Sequence, residues 1–206
     1  MKVSLQLDKD FLILKEKGYT KIVGIDEVGR GSWAGPVAVG AYCVDLNTQW
    51  INGINDSKQV SLKNREKLVD TLSAHIHSIH LGSVENINKY GIGKSITFLI
   101  QEIVEKYNNS DTFFLIDGQF SQDFGTNSLK VIKGDATYYS IAAASILAKV
   151  YRDNLMKELH KTYPHYGFLT NVGYPSKSHI QALKIHGPTP IHRTSFTPIG
   201  EMLINS

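Results

Sequence analysis

Four acidic side chains stand at the ends of short apolar runs that have the composition of buried strands. They are Asp26, Glu27, Asp117 and Asp135. Desolvating a carboxylate is costly, so such residues at the end of a buried strand need a partner. Ligands of α/β sheets gather at strand ends, and four convergent carboxylates would repel one another without a cation between them. Hard divalent cations prefer oxygen ligands, so the set predicts a Mg²⁺ or Mn²⁺ site suited to phosphodiester hydrolysis.

The same spacing also has a purely structural interpretation. A single Asp after a strand commonly forms a turn or caps a helix. Adjacent Asp26 and Glu27 would point to opposite faces of a regular strand, so both serve one site only if the chain bends there. Gly29 and Gly31 follow at once and permit such a bend. Spacing alone therefore leaves the metal site and the structural turn both open.

A glycine-rich stretch, residues 24–36, is more specific. Gly29 and Gly31 let the backbone approach a ligand closely, and Arg30 between them can meet a phosphate. The stretch is not a dinucleotide fingerprint, because Ala34 stands where G-x-G-x-x-G needs its third glycine.

The periodicity of the chain predicts the elements that position these residues. The predicted strands are 21–25 (ending at Asp26), 37–44, 79–84, 112–116 and 129–132. The predicted helices are 62–76 with Ser61 as N-cap, Ile92–Tyr107, 137–163 and Lys177–His186. This order of strands and helices predicts an α/β fold with a mixed sheet.

Composition narrows the class of protein. The 206 residues are 42% hydrophobic and 20% charged, which is typical of a globular chain. The one cysteine, Cys43, excludes an intrachain disulfide and a cysteine-rich zinc site. No apolar run approaches the ~18 residues of a membrane helix, and residues 1–10 lack the apolar region of a signal peptide. We therefore expect a cytoplasmic protein without a membrane partner.

Charge is unevenly distributed along the chain. Residues 1–129 carry 13 Lys and Arg against 15 Asp and Glu, whereas residues 130–206 carry 9 against 4. A basic C-terminal part is compatible with a polyanionic partner. It is equally compatible with an unevenly charged, solvated surface.

The motifs, in their order, resemble those of ribonuclease HII. The stretch 24–36 is similar to the first motif of that family, Asp56-Ser57-Lys58 to its second, and Asp117-Gly118 to its third. Its long signature is matched by Lys133-Gly134-Asp135, 140–150 and Arg152-Asp153, and its C-terminal motifs by Gly173-Tyr174, His179 and 187–196. The chain departs from the family pattern at Ser32-Trp33, Asn88, Gly91 and Asn171-Val172, and none of these is a catalytic carboxylate.

The resemblance implies the ribonuclease H fold, a five-stranded mixed sheet flanked by helices. It implies a single domain over residues 1–206, with a catalytic core at about 20–160 and a helical C-terminal extension at about 161–206 that contributes to substrate binding. The implied activity is metal-dependent hydrolysis of the RNA strand of RNA–DNA hybrids. It includes cleavage 5′ of ribonucleotides embedded in duplex DNA, leaving 3′-hydroxyl and 5′-phosphate ends.

The resemblance also assigns roles to individual residues. Catalysis and the binding of Mn²⁺ or Mg²⁺, with two ions during catalysis, are assigned to Asp26, Glu27, Asp117 and Asp135. Substrate contacts are assigned to Gly29, Arg30 and Gly31 at the ribose, Lys58 at a phosphate, and Tyr174 at the RNA–DNA junction. The expected partner is a hybrid or ribonucleotide-containing duplex, bound by a monomer. No sliding-clamp motif stands out in residues 200–206.

Two other interpretations of the motifs compete with this one. Ribonuclease HIII usually carries an added N-terminal domain, and about 20 residues before the first motif leave no room for one. A catalytically silent RNA–DNA binding module would gain affinity by losing acidic charge near phosphates, so four intact carboxylates argue against it.

Overall fold

One five-stranded sheet organises the chain. A computed structural model describes residues 4–54 and 62–204. Its strands are β1 (Lys21–Val28), β2 (Val37–Asp45), β3 (His77–Gly82), β4 (Thr112–Asp117) and β5 (Ser128–Val131). Its helices are α1 (Ser4–Lys17), α2 (Leu62–Leu72), α3 (Val84–Tyr90), α4 (Ile92–Tyr107), α5 (Tyr139–Thr162), α6 (Phe168–Asn171), α7 (Lys177–His186) and α8 (Ile199–Ile204). Short 3₁₀ turns lie at Gly134–Ala136 and Pro164–Tyr166.

The sheet is mixed, with the strand order β3-β2-β1-β4-β5. β1 pairs antiparallel with β2 and parallel with β4, and β5 pairs parallel with β4. The parallel pairs place the carboxyl ends of β1, β4 and β5 at one edge of the sheet. That edge is where the sequence places its acidic residues.

Strand alternation sends side chains into two separate cores. Val23 and Ile25 of β1 pack with Val39 of β2 against Ile96 and Ile100 of α4. On the other face, Tyr42 and Val44 pack against α5, which contributes Ala142, Ala143 and Ala144. The period of two along each strand therefore produces the two layers of helix around one sheet.

Small residues on both partners bring α5 close to the sheet. A Cβ at Gly24 would overlap the backbone of Ser140 and Ile141, and a Cβ at Gly40 would overlap the carbonyl of Ala144. Ala142, Ala143 and Ala144 of the helix are fully buried, and their small side chains allow this approach. The close packing holds α5 in a fixed position beside the carboxyl end of β1.

A carboxylate from the N-terminal helix caps α5. Asp10 of α1 accepts hydrogen bonds from the backbone N–H groups of Tyr139 and Ser140 and from the Ser140 hydroxyl. The bonded carboxylate satisfies N–H groups that a helix start leaves without an intrahelical partner. Burial raises the pKa of Asp10 to about 7.

The C-terminal segment packs on its own apolar cluster. Met156 of α5 meets Tyr166, Phe168, Leu183 and Ile199 there. Ala34, from the glycine-rich stretch that follows β1, is buried in the same cluster. This contact joins the first motif of the chain to its last third, while the division at about residue 160 stays a prediction.

Most predicted strands and helices are confirmed, and they differ from the structure mainly at their first and last residues. The predicted helix at 62–76 was wrong at its end, because α2 stops at Leu72 and β3 begins at His77. The predicted end of β1 at Asp26 was also wrong, since the strand continues to Val28. Four helices, α1, α3, α6 and α8, were not predicted. The described helices include none that is long and apolar enough to cross a membrane.

Candidate active site

One cleft at the carboxyl ends of β1 and β4 collects the residues that the motifs singled out. Its lining includes Asp26, Glu27, Gly29, Arg30, Gly31, Asp117, Asp135, Ser145, Lys149 and Tyr174. Eight of the nine predicted site residues are therefore in one place. The ninth, Lys58, lies outside the described residues, as do its motif neighbours Asp56 and Ser57.

Three of the carboxylates converge closely. Asp26, Asp117 and Asp135 each offer one oxygen, and these oxygens all lie within 4.8 Å of one another. Asp117 is the last residue of β4 and accepts a hydrogen bond from the Gly134 backbone N–H at 2.9 Å. Asp135 sits in the 3₁₀ turn Gly134–Ala136, which begins after Lys133 adopts a left-handed conformation at φ 56°.

The electrostatics of this group favour a bound cation. Burial raises the pKa of Asp26 well above its usual range, and the charges of Glu27, Asp117 and Asp135 raise it further. A hydrogen bond from the Ser145 side chain opposes that rise. The donor set consists of carboxylate oxygens, which suits a hard divalent ion that would offset their repulsion.

Glu27 stands slightly apart from the three aspartates. β1 pairs with β4 only as far as Ile25, whereas its pairing with β2 continues through Glu27 and Val28. β1 therefore continues past the end of β4. Glu27 lines the cleft from within β1, and the strand does not end at Asp26 as predicted. Burial raises the pKa of Glu27, and Arg30 opposes this by donating to its Oε1 at 3.3 Å.

The turn after β1 is folded around a buried arginine. Arg152 of α5 donates to the carbonyls of Pro36 and Val172, each at 2.9 Å, and to the Ser32 hydroxyl at 2.7 Å. Gly29 has φ +92°, and a Cβ there would overlap the Arg152 side chain. Glycine is therefore required at position 29 both by the backbone conformation and by the space available.

A second buried arginine supports the same turn. Arg193 donates to the carbonyls of Gly35 and Arg30, and its guanidinium lies 5.3 Å from the centre of the Phe196 ring. Burial, with the charge of Arg152, lowers the pKa of Arg193 to about 9. Apart from the Ser32 hydroxyl, the acceptors of the hydrogen bonds described for the two arginines are backbone carbonyls, so the two cations fix the path of the chain.

Tyr174 lines the cleft beside the turn after β1. It is 37% exposed, its ring lies 5.7 Å from the Arg152 guanidinium, and a Cβ at Gly31 would be 3.8 Å from its Cε1 atom. Val172, two residues before it, adopts φ 43°, which is strained for a β-branched residue. The ring is thus presented at the cleft by a loop that its surroundings must hold in place.

Sequence reasoning missed several residues that build the cleft. Ser145, Lys149 and Arg152 fall within the long family signature, but the sequence alone assigns them no role. They share one side of α5 at spacings of four and three residues, and the first of them directly follows the apolar run 141–144. Lys149 donates to Asp153 at 2.7 Å, one turn further along the same helix.

Comparison with known proteins shows which family the chain resembles. The family model for ribonuclease HII matches residues 23–199. The ribonuclease HII of Clostridium acetobutylicum is 43% identical over 188 residues, covering 88% of this chain and 74% of that protein. The chain belongs to the ribonuclease HII family.

Solved structures of the family share the fold. The ribonuclease H2 of Pyrococcus horikoshii OT3 matches with a TM-score of 0.74 at 24% identity, over 90% of this chain and 98% of that one. The ribonuclease HII of Archaeoglobus fulgidus, solved in complex with PCNA, matches with a TM-score of 0.71 at 23% identity, over 84% and 93%. The expected five-stranded mixed sheet with flanking helices is confirmed.

Membership of the ribonuclease HII family makes the chain a hydrolase with ribonuclease H activity on RNA–DNA hybrids. The family depends on a divalent metal ion, and the three close aspartate oxygens are suited to bind one.

Proposed function

We propose that Asp26, Glu27, Asp117 and Asp135 are the catalytic and metal-binding residues of this ribonuclease HII. The observation that carries the proposal is the convergence of three of their oxygens within 4.8 Å, in a cleft that Glu27 also lines. The cofactor is Mg²⁺ or Mn²⁺, with two ions during catalysis. Bound there, such ions activate the attacking water and stabilise the leaving oxygen of the phosphodiester.

The proteins of this family act on RNA, and the proposed reaction is hydrolysis on the 5′ side of a ribonucleotide. The oxygen of water forms a bond to phosphorus, the bond from phosphorus to the 3′ oxygen of the preceding nucleotide breaks, and that oxygen takes up a proton. The products are a 3′-hydroxyl and a 5′-phosphate. Asp117 is held for this role by the Gly134 N–H, and Glu27 by Arg30.

The turn after β1 is proposed to read the ribose. The 2′-hydroxyl is both a donor and an acceptor, so backbone groups of Gly29, Arg30 and Gly31 can recognise it. Gly31 lies beside Tyr174, so the backbone and the aromatic ring form adjacent parts of one surface. Lys58 is proposed to contact a phosphate, and the C-terminal extension to contribute to substrate binding through Tyr174.

Tyr174 is proposed to sense the RNA–DNA junction. A flat ring against the next sugar offers apolar contact and leaves an added hydroxyl unpaired, at roughly 1–3 kcal/mol. The preferred substrate is then a ribonucleotide followed by deoxyribose, including a single ribonucleotide embedded in duplex DNA.

The first experiment tests cleavage and end chemistry together. A duplex with one ribonucleotide is incubated with the protein and Mg²⁺, Mn²⁺ or a chelator. We expect cleavage only with metal, and products whose 3′ ends are extended by a polymerase and whose 5′ ends are joined by a ligase. A 2′,3′-cyclic phosphate end, or cleavage in chelator, would contradict the proposed chemistry.

A second experiment tests Tyr174. The substrate ratio is defined as the initial rate on a single-ribonucleotide duplex divided by the rate on a continuous RNA–DNA hybrid. Tyr174→Ala is expected to lower this ratio about tenfold, the loss of roughly 1.4 kcal/mol, while the melting temperature stays within a few degrees. Wild-type rates and a wild-type ratio in Tyr174→Ala would remove Tyr174 from junction sensing.

A further inference from the structure

Two buried histidines connect the C-terminal segment to the backbone of Tyr174. His179 lies in the first turn of α7, His192 lies beyond that helix, and neither is exposed to solvent. Their Nε2 atoms are 3.0 Å apart. At one end of the pair, His179 Nδ1 is 2.9 Å from the carbonyl oxygen of Tyr174. At the other end, His192 Nδ1 is 2.9 Å from the backbone nitrogen of Thr189.

The ends of this chain of hydrogen bonds determine the position of every proton in it. The Thr189 N–H can only donate, so His192 Nδ1 accepts and the proton of that neutral ring is on Nε2. The Thr189 hydroxyl lies 2.8 Å from the same Nδ1 atom and can donate to it as well. His192 Nε2 therefore donates to His179 Nε2. The proton of His179 is then on Nδ1, where it donates to the Tyr174 carbonyl, a group that can only accept. One pair of neutral tautomers satisfies all three bonds.

Protonation of either ring would place two donors face to face. A proton added to His179 Nε2 would face the N–H of His192, and one added to His192 Nδ1 would face the Thr189 N–H. Burial lowers the pKa of His179 and, with the influence of His179, lowers that of His192 to about 4. The rings of Tyr166 and Phe168 pack around the pair and keep it apolar.

The loop before Tyr174 needs such support. Val172 holds a left-handed conformation at φ 43°, which costs on the order of 1–3 kcal/mol for a residue of its type. The Gly173 carbonyl accepts from the Trp33 backbone N–H at 2.8 Å, which ties one side of the loop to the turn after β1. The Tyr174 carbonyl accepts from the Ser176 N–H at 2.8 Å as well as from His179.

We propose that His179 and His192, locked as one pair of neutral tautomers, are positioning residues that hold Tyr174 at the RNA–DNA junction. The inference rests on the junction-sensing role proposed for Tyr174. It assigns part of the substrate preference to residues that do not line the cleft.

The first test reads the protons directly. Long-range ¹H–¹⁵N correlation spectra of the wild-type protein are recorded from pH 7.5 to pH 5, and the two rings are assigned from His179→Asn and His192→Gln. We expect His179 protonated on Nδ1 and His192 on Nε2, with neither ring titrating in that range. The opposite tautomers, or a proton taken up near pH 6.5, would overturn the inference.

The second test measures the substrate ratio in two matched variants. His179→Phe keeps an aromatic ring but removes both bonds, so the ratio is expected to fall about tenfold, as in Tyr174→Ala. His179→Asn retains an N–H near the position of Nδ1, and we expect it to recover most of the ratio. Equal losses in both variants would show that the bond to Tyr174 is not what matters. His186→Gln, an exposed histidine of the same helix, serves as the control and is expected to keep the wild-type ratio.

The outcomes separate this inference from the proposed function. If Tyr174→Ala leaves the ratio unchanged, junction sensing by Tyr174 fails and the positioning role falls with it. If Tyr174→Ala lowers the ratio but well-folded His179→Phe does not, only the histidine inference is overturned. Should His179→Phe fail to fold, His179→Asn and the wild-type spectra still decide the question.

Discussion

The two sides of the cleft are held in place by different means. The acidic side consists of Asp26, Glu27, Asp117 and Asp135, and the loop side consists of residues 29–31 and Tyr174. On the acidic side, Asp26 and Glu27 belong to β1 and Asp117 ends β4, so strand pairing within the sheet positions them. The loop side has no strand pairing of this extent. It is held by long-range hydrogen bonds from Arg152 and Arg193 and by the local bond from His179 to the Tyr174 carbonyl.

The two sides also respond oppositely to acid. On the acidic side, burial raises the pKa values of Asp26 and Glu27, so lowering the pH relieves repulsion in the metal-free protein. Beneath the loop side, burial lowers the pKa values of His179 and His192, so lowering the pH works against the fold there. The comparison teaches that the acidic side is suited to bind a cation, whereas the histidine pair beneath the loop side is suited to stay neutral.

Removing one carboxylate should separate chemistry from folding on the acidic side, with the largest effect on rate. Asp117→Asn is expected to reduce cleavage about a thousandfold or more, because several kcal/mol of metal-dependent stabilisation are lost. Its amide oxygen can still accept from the Gly134 N–H, so the metal-free melting temperature should equal or exceed that of the wild type. Rates are measured on the hybrid and melting by calorimetry.

The matched control for this change is Asp111→Asn. Asp111 is exposed and immediately precedes β4, at the opposite end of the strand from Asp117. The Asp111→Asn protein should cleave the hybrid at the wild-type rate. A melting temperature for Asp117→Asn many degrees below the wild type would mean that Asp117 is structural.

Replacing the central support of the loop side should affect stability and the cleft together. Arg152→Lys loses most of the hydrogen bonds to Pro36, Val172 and Ser32, and it leaves a buried ammonium in their place. We expect a loss of roughly 2–4 kcal/mol in the free energy of unfolding, measured by urea denaturation. Lys161→Met, a change to an exposed residue in the last turn of the same helix, should stay within about 0.5 kcal/mol of the wild type. An Arg152→Lys protein as stable as the wild type would show that the loop side does not depend on the hydrogen bonds of Arg152.

Two glycines in one turn allow a finer test of the loop side. In Gly29→Ala, the backbone at φ +92° is strained and the new Cβ overlaps the Arg152 side chain. We therefore expect the free energy of unfolding to fall by roughly 1–3 kcal/mol and the cleavage activity to be lost as well. Gly31→Ala adds a Cβ at an ordinary contact distance of 3.8 Å from Tyr174, so the melting temperature should hold. Its rate on hybrid should nevertheless fall about tenfold if backbone and ribose meet there. Unchanged turnover in Gly31→Ala would rule out that close contact.

The histidine pair should make a smaller, pH-dependent contribution to the free energy of unfolding. A lowered folded pKa contributes stability above the unfolded value of 6.5, and that stability is lost as the pH falls toward about 4. His192→Gln removes this contribution, so the stability difference between wild type and variant should shrink by roughly 1–3 kcal/mol between pH 7 and pH 4. His186→Gln should show no such convergence. Taking differences cancels the opposing slope of the carboxylates.

Much of the acidic side was predictable from the sequence. Short apolar runs ending in Asp predict strand ends, because burial and a period of two are written in residue type. The order of elements then brings parallel strand ends to one edge. What the strand pattern could not give was the overhang of β1. Its pairing with β2 continues through Glu27 and Val28 after its pairing with β4 has stopped, which depends on register between distant strands.

The resemblance of the motifs identified the residues of the loop side. It did not show which contacts hold those residues in place. The sequence by itself determined that residues 29 and 31 are glycines and that Tyr174 stands in a Gly-Tyr-Pro loop. Only the tertiary structure decided that Arg152, 20 positions from Val172 and 116 from Pro36, ties those segments together. Only the tertiary structure placed His192 against His179. A hydrogen bond between distant segments leaves no periodic trace in the chain, since its donor and acceptor meet through packing that many residues determine jointly.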